Sequence, residues 1–493
     1  MAKFSRRALL FGSGAVVGAW AARRYGANNP VMPPDLIDIP TEGMLNDASL
    51  LSATPVHRHT ILQQDPGTAL TEAIRAEMQE ARAAGRPVNI GAARHSMGGQ
   101  AIPRIGHAMT FDNGFVELDQ QNQTFRAHAG ARWSQIIASL DPAGFSPKIM
   151  QSNNDFGVAA TFCVNAHGWP VPFGPMGASV NAIEMILPSG DEIRASRSEN
   201  ADIFNMTMGG YGLTGAITAM EVQMEKNLNL IPSFQTMPAA EFAAAFTAAL
   251  NDPQINMAYG RLNVDRAHFF EEALLITYRP AEDQSDIPPA AGSGLVSHLA
   301  SYLYRAQLGN ERMKRLRWFT ETTLGPRVAG GMATRNSLIN EPVVTLDDRN
   351  DSRTDILHEY FVAPERFGDF LTACRAIIPA AYQEFLNVTL RFVDRDAESW
   401  LSYATTPRIA AVMSFSQEMT HRAEADMARM TRDLIDAITS IEGAYYLPYR
   451  PHATPAQMTA AYARAGEFAA AKRELDPDLL YRNGLWDRYL EVL

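Results

Sequence analysis

The sequence predicts an α+β protein of two or three packed domains, and three observations predict it. A chain of 493 residues with 46% hydrophobic and 20% charged residues is too apolar to be disordered and too long for one small core. Short β runs alternate with amphipathic helices over the first half, as in an α+β unit. From residue 356 the order strand, helix, strand, strand, helix, strand is the split βαβ, ferredoxin-like arrangement.

Charge and composition exclude several functions before any motif is read. A formal net charge of −11 argues against nucleic acid or an anionic membrane as the main partner, because both need clustered Lys and Arg. Only Lys3, Lys148, Lys226, Lys314 and Lys472 are lysines, so arginine and histidine must carry the positive chemistry. Cys163 and Cys374 form no CxxC pair and no HExxH is present, so no protein-held metal is expected.

In chain order, residues 1–28 begin with Ser5-Arg6-Arg7 before an apolar run over 8–22, the layout of a twin-arginine export signal. The run is short for a membrane span, where about 20 residues are needed, and it contains three glycines. The expectation is export of a folded protein to the periplasm by the twin-arginine machinery. Residues 29–52 are Pro-rich and aperiodic, a linker. Within 53–227, Leu70, Ile74, Met78 and Ala81 stripe a helix over 68–84, a strand at 88–90 follows, and further strands are expected at 108–111, 124–129, 183–187 and 216–224, with a helix over 132–140.

The second domain, 228–445, is expected to form one antiparallel sheet from strands at 257–264, 273–278, 356–362, 385–392, 409–415 and 444–449, with helices over 366–378 and 419–441. An insertion at 282–350 carries amphipathic helices around 295–323 whose apolar, Arg-studded face could pack on its own domain or meet a membrane. Residues 446–493, with a helix over 459–475, are too short to fold alone and must dock on a domain. No internal repeat is visible.

Three small-residue segments carry the chemistry of the first domain. Gly91, Ala92, Ala93, Arg94, His95, Ser96 and Met97 follow a strand directly, and small residues there let successive backbone N–H groups converge on an anion. Asn154, Gly157 and Ala160 lead into Asn165, His167 and Gly168, and a third segment contains Gly212, Gly215 and Ile217. Each alone is an ordinary loop; three in one domain exceed what turns require.

The segments Arg94–Gln100, Asn165–Gly168 and Gly209–Thr218 resemble, in order and spacing, the FAD-contacting segments of the vanillyl-alcohol oxidase / p-cresol methylhydroxylase flavoproteins. The resemblance covers about 53–226 and 356–493, and is strongest in look to the sugar, alditol and aldonolactone oxidases and decaprenylphosphoryl-ribose oxidase. Leu390-Arg391-Phe392, the 359–362 strand, Arg450-Pro451-His452 and the ending through Asn483 support it. It implies a PCMH-type FAD-binding domain split in sequence, a substrate cap, and a C-terminal segment returning to the FAD domain. The loop residues named above and Asn483 are then the implied FAD contacts. His95 falls where several relatives attach the flavin covalently; here it is either that link or a loop histidine bonded to its neighbours.

By the same resemblance the chain is an FAD-linked oxidase or dehydrogenase acting on a polyol- or sugar-like CH–OH donor. The alternatives are a membrane-associated flavoprotein acting on a lipid-linked sugar, or a flavin-binding module without turnover. Arg391 matches an active-site arginine that could stabilise developing negative charge. Strand alternation puts His358 and Tyr360 on one face, so both or neither line the cavity, and both are expected to. Relatives carry a lysine near 449–452; here Arg450 or His452 must substitute, or the role is absent. The glutamate that relatives place two residues before the arginine is Thr389 in this chain. His167 is expected to pack in the cofactor loop rather than act chemically.

Overall fold

The computed structural model describes residues 35–290, 304–324, 332–342 and 352–493. The export signal and parts of the 282–350 insertion lie outside the described residues. No helix among the described residues is long and apolar enough to cross a membrane.

The first domain is built on two small sheets. Strands Arg58–Leu62, His107–Phe111 and Val88–Ile90 form a parallel three-stranded sheet, crossed by the helix Thr68–Ala83. That helix buries the stripe Leu70, Ile74, Met78 and Ala81, which is why the chain between the first two strands folds back over the sheet. The second sheet is antiparallel, with Ala216–Lys226 between Val180–Ile186 and Thr124–His128. Its inner face packs on Trp133, Ile136 and Phe162 from the helices Trp133–Leu140 and Val158–Cys163.

The cap is an eight-stranded antiparallel sheet. In chain order its elements are β1 (Asn229–Pro238), α1 (Phe242–Ala249), β2 (Met257–Leu262), β3 (Glu272–Pro280), β4 (Ala333–Thr334), β5 (Arg353–Val362), α2 (Phe367–Ile377), β6 (Glu384–Val393), β7 (Arg408–Glu418), α3 (His421–Thr439) and β8 (Ala444–Tyr445). The spatial order is β4-β1-β3-β2-β6-β7-β5-β8. The run β1-α1-β2-β3 and the run β5-α2-β6-β7 therefore repeat one connectivity and meet at β2 and β6. The helices α1, α2 and α3 cover one face with Phe242, Phe370, Met427 and Leu434 in a single core; the other face looks at the first domain.

Four expectations need correction. Residues 35–52 are packed rather than a linker: Asp47 accepts from the Gly99 N–H, and Thr354 donates to the Ser49 carbonyl, so this stretch ties both domains. The helix expected over 459–475 is two helices, Pro455–Ala461 and Ala465–Leu475, broken at Tyr462, whose hydroxyl reaches the Tyr445 carbonyl. The last cap strand stops at Tyr445, ahead of Pro448, which lacks an N–H for a ladder. The C-terminal segment serves both domains: Tyr462, Phe468 and Trp486 join the cap core, while Tyr481 pairs beside Val88 in the first domain.

Candidate active site

The two domains enclose a cavity of about 570 Å³. At its inner end the walls are backbone and small side chains: 91–97, Ala129, Gly130, Gly157, Ala160, Gly212, Gly215 and Ile217. The first two loops lie so close that a Cβ on Gly157 would stand 3.0 Å from the Ala92 Cβ, and Gly212 has a positive φ of 70°. Small residues are what let these segments converge without filling the space between them.

The outer end is the open face of the cap sheet, and ladder register decides what it displays. Glu359 on β5 pairs with Val412 on β7, Val412 with Thr389 on β6, and Thr389 with Arg261 on β2. The four stand in one row across four strands, all facing the cavity. Leu357, Ser414 and Asn387 form the next row. Arg391, two residues beyond Thr389, reaches across to the first domain: Nη1 donates to the His167 carbonyl at 3.0 Å and Nη2 to Ser152 Oγ at 2.8 Å. His167 Nε2 contacts Glu359 Oε1, and Tyr449 Oη donates to Glu359 Oε2 at 3.3 Å.

Electrostatics follow from this burial. Burial lowers the Arg391 pKa, opposed by Glu359 and reinforced by Arg261; a guanidinium remains charged regardless. Burial and the Glu359 charge both push the Tyr449 phenol far above its usual range, so it stays a donor. Cys163 also lines the cavity, and burial pushes its thiol up to about 12, which suppresses the thiolate a covalent link would need. Among the described residues His57, Glu80 and His107 bring possible metal-ligand atoms within 4.8 Å of one another, but Glu80 is already engaged by Arg58 at 2.7 Å.

Comparison with known proteins identifies the inner half. Residues 69–196 match a family model described as FAD binding domain. The chain carries an FAD-binding domain. An L-galactono-1,4-lactone dehydrogenase of Oryza sativa subsp. japonica is 26% identical over 226 residues, 44% of this chain and 38% of that protein. An alditol oxidase of a Streptomyces species is 23% identical over 162 residues, 31% and 39% respectively. The matches thus span about two fifths of these relatives' own length. A solved structure titled solvent-stable cholesterol oxidase superposes with a TM-score of 0.66 over 92% of this chain and 99% of that one, at 14% identity, and shows the shared fold.

The FAD domain fits its cofactor on local grounds as well. Gln100 Oε1, Gln151 Oε1, Arg94 Nε and His167 Nδ1 belong to cavity-lining residues, are buried, and have no hydrogen-bond partner. Each such orphan costs about 1–3 kcal/mol, so a cavity with several is suited to a ligand rich in donors and acceptors. The loops at 91–97, Gly157, Ala160 and 212–217 are the residues that would hold it. His95 lines the same wall, its ring 4.5 Å from that of Phe156 and its Nε2 3.6 Å from Asp155.

Not every expected residue reaches the cavity. His358 and Tyr360 do not line it. They face the helical side of the sheet, where Tyr360 Oη lies 3.2 Å from His358 Nδ1 and His358 Nε2 lies 3.3 Å from Thr431 on α3. His358 and Tyr360 share a face, as strand alternation requires, but it is the helical one, and their neighbours Leu357 and Glu359 look into the cavity. Arg450 and His452 are also behind the sheet, both bound to Glu424 Oε1, at 2.6 and 2.8 Å. Neither substitutes for a lysine at the cavity wall. Asn154 instead bonds Asn340 and the Glu341 carbonyl. Asn165 bonds Asp396 and the Gly177 N–H, Asn483 holds the Tyr211 carbonyl, and a Cβ on Gly168 would strike the Met150 carbonyl. These four shape the loops from behind. His167, expected to pack only, is a cavity residue in contact with a carboxylate. Glu359, Arg261, Arg317, Trp169 and Tyr449 were not anticipated as lining residues; Glu359 had one signal, a carboxylate amid the apolar strand Ile356–Val362.

Proposed function

We propose that the chain is an exported FAD-dependent oxidoreductase that oxidises a CH–OH group of a sugar, alditol or sugar lactone, its flavin being reoxidised by oxygen or another acceptor. The observation that carries this reading is the continuity of the cavity from the small-residue loops of the FAD domain to the Glu359–Arg261 row and Arg391 on the cap. The similarity to a lactone dehydrogenase and an alditol oxidase supports it. FAD, when bound, supplies a two-electron acceptor. The chain's own residues do the rest. The substrate hydroxyl loses its proton to the Glu359–His167 pair at His167 Nδ1, the ring nitrogen without a partner, while Nε2–H donates to Glu359 Oε1 and Tyr449 donates to the second carboxylate oxygen. Arg391 stabilises the negative charge that develops on the substrate oxygen.

An anaerobic screen of polyols, aldoses and lactones for loss of flavin absorbance, followed by admission of air, tests the reading. Bleaching and recovery are expected. A flavin that no CH–OH donor reduces would leave only a flavin-binding module. Attachment through His95 belongs to the same proposal, and acid precipitation should keep the yellow colour on the polypeptide; flavin in the supernatant refutes the link. Export rests on Arg6 and Arg7, and replacing both by lysine should retain the protein in the cytoplasm.

A second reading has one observation of its own. Leu316, Phe319 and Leu324 are exposed at 47%, 50% and 43% on the segment that also lends Arg317 and Glu321 to the cavity, which suits a lipid-linked sugar at a membrane surface. Turnover that rises on addition of vesicles would favour it.

A further inference from the structure

The positive charge at the cap end of the cavity is unevenly paired. Arg261, Arg317 and Arg391 line it, with Glu321, Glu341 and Glu359; Asp355 is cancelled by its own ion pair with Arg305. Arg317 is paired with Glu321 at 2.7 Å. Arg261 and Arg391 have no carboxylate within ion-pair distance among the described residues. Arg261 spends only Nη1, on Asn387 Oδ1 at 2.8 Å and Thr389 Oγ1 at 2.7 Å, and its guanidinium lies over the Tyr259 ring at 5.5 Å. Tyr259 is itself stacked on Trp169 at 4.3 Å. The side chain is thus fixed in place with Nε and Nη2 uncommitted, while Arg391 adds a buried Nε with no partner.

Two guanidinium groups facing one half-enclosed space repel each other unless an anion lies between them. The register brings them close, since Thr389 pairs with Arg261 and Arg391 follows two residues on along the same face. Thr389 supplies a neutral hydroxyl where a carboxylate could have balanced them. Arg261 has no carboxylate partner of its own among the described residues and keeps one edge of its guanidinium open, which suits a monoanion rather than a phosphate dianion. A planar carboxylate also matches the two free nitrogens of Arg261 as a fork.

We infer that the substrate is a polyhydroxy acid, such as an aldonate or uronate, whose carboxylate docks on Arg261 with Arg391 beside it. This rests on reading the cap end as the substrate end. The carboxylate then anchors one end of the molecule and leaves a hydroxyl-bearing carbon for the Glu359–His167 side. The ring of Trp169, on the FAD-domain side, gives the carbon chain an apolar wall.

The test compares gluconate and glucuronate with sorbitol and glucose as anaerobic reductants of the holoenzyme flavin. The acids should half-saturate at concentrations at least tenfold lower. Arg261→Met should raise the acids' half-saturation by about 10–100-fold, the worth of a charge-assisted bidentate contact, and move the neutral compounds less than threefold. Equal or better use of the neutral compounds by the wild type overturns the inference and leaves the oxidoreductase reading intact. If nothing reduces the flavin, that reading fails, and the subsite is judged by titrating gluconate against the oxidised flavin spectrum: perturbation in the wild type and none in Arg261→Met supports it, and no perturbation in the wild type overturns it. Should Arg261→Met fail to fold, Thr389→Glu supplies the missing charge internally and should abolish the preference for acids; an unchanged preference overturns the inference.

Discussion

Two clusters of the same composition sit on opposite faces of β5, and only one of them meets the cavity. In front are Glu359, His167 and Arg391; behind are Glu424, His452 and Arg450. Each is a carboxylate with a histidine and an arginine near it, and each joins the cap to the FAD domain, in front through Arg391 to Ser152 and behind through Arg450 to the Met97 carbonyl. They differ in what remains available. Glu424 has both oxygens engaged, Oε1 by Arg450 and His452 and Oε2 by Gln417. In front Glu359 is likewise engaged at both oxygens, by His167 and Tyr449, and each cluster leaves its arginine Nε without a partner, but only the front one keeps a histidine nitrogen, His167 Nδ1, unpartnered beside an open volume. Residue type alone does not make a reactive site; packing that leaves polar atoms facing a space does.

The largest test of this contrast is a matched pair of substitutions. Glu359→Gln should slow anaerobic flavin reduction by about 10²–10⁴, the usual contribution of a positioned base, with FAD still bound. Glu424→Gln should leave flavin reduction within a few-fold and instead lower thermal stability, because it strips the charge that the buried Arg450 guanidinium faces; breaking such a pair costs about 3–5 kcal/mol. Stopped-flow absorbance and thermal melts separate the two. The reverse pattern would move the chemistry behind the sheet.

A smaller effect is expected at the arginines. Arg391→Met should slow reduction by about 10²–10³ and Arg450→Met only marginally, since only Arg391 faces the reacting space. If Arg391→Met reduces its flavin at the wild-type rate, the arginine only ties His167 and Ser152 to the cap.

Much of this arrangement was legible before the structure. The helix over 68–84 and the strand at 88–90 follow from an apolar stripe and a short β run, signals local to the chain. The small-residue loops were legible for the same reason, since the need for close backbone approach is written in Gly and Ala themselves. The α+β class and the FAD domain followed from those signals and from the resemblance.

What escaped depends on register. Strand alternation says that His358 and Tyr360 share a face, but not which face α3 covers, and one residue of parity exchanges Glu359 for His358. Arg261 lies 128 positions before Thr389 in the chain, and only the β2–β6 pairing makes them neighbours. Arg450 and His452 were drawn to the cavity by sequence likeness, while Glu424, which actually holds them, is a helical carboxylate with no motif around it.

The smallest expected effect concerns the rear face and acid. Burial, with the His452 charge adding to it, pushes His358 down to about 3 from an ordinary value near 6.5, so the folded protein keeps this ring neutral where the unfolded chain would protonate it. Between those two values the unfolded state binds the extra proton, and stability therefore rises with pH across the window and is lost as pH falls through it. One such group changes stability by at most about 1.4 kcal/mol per pH unit. His128 in the FAD domain, pushed down to about 4 mainly by burial, adds a second contribution of the same sign. His358→Gln keeps polar groups that can face Tyr360 and Thr431 and removes the titration, so denaturant midpoints measured from pH 7 to pH 4 should fall less steeply than in the wild type. Flavin reduction at pH 7 should be unchanged, because the ring faces α3 and not the cavity. A variant with the wild-type acid slope would mean that His358 takes up no proton on unfolding, while a large loss of reduction rate would return His358 to the site from which its orientation excludes it.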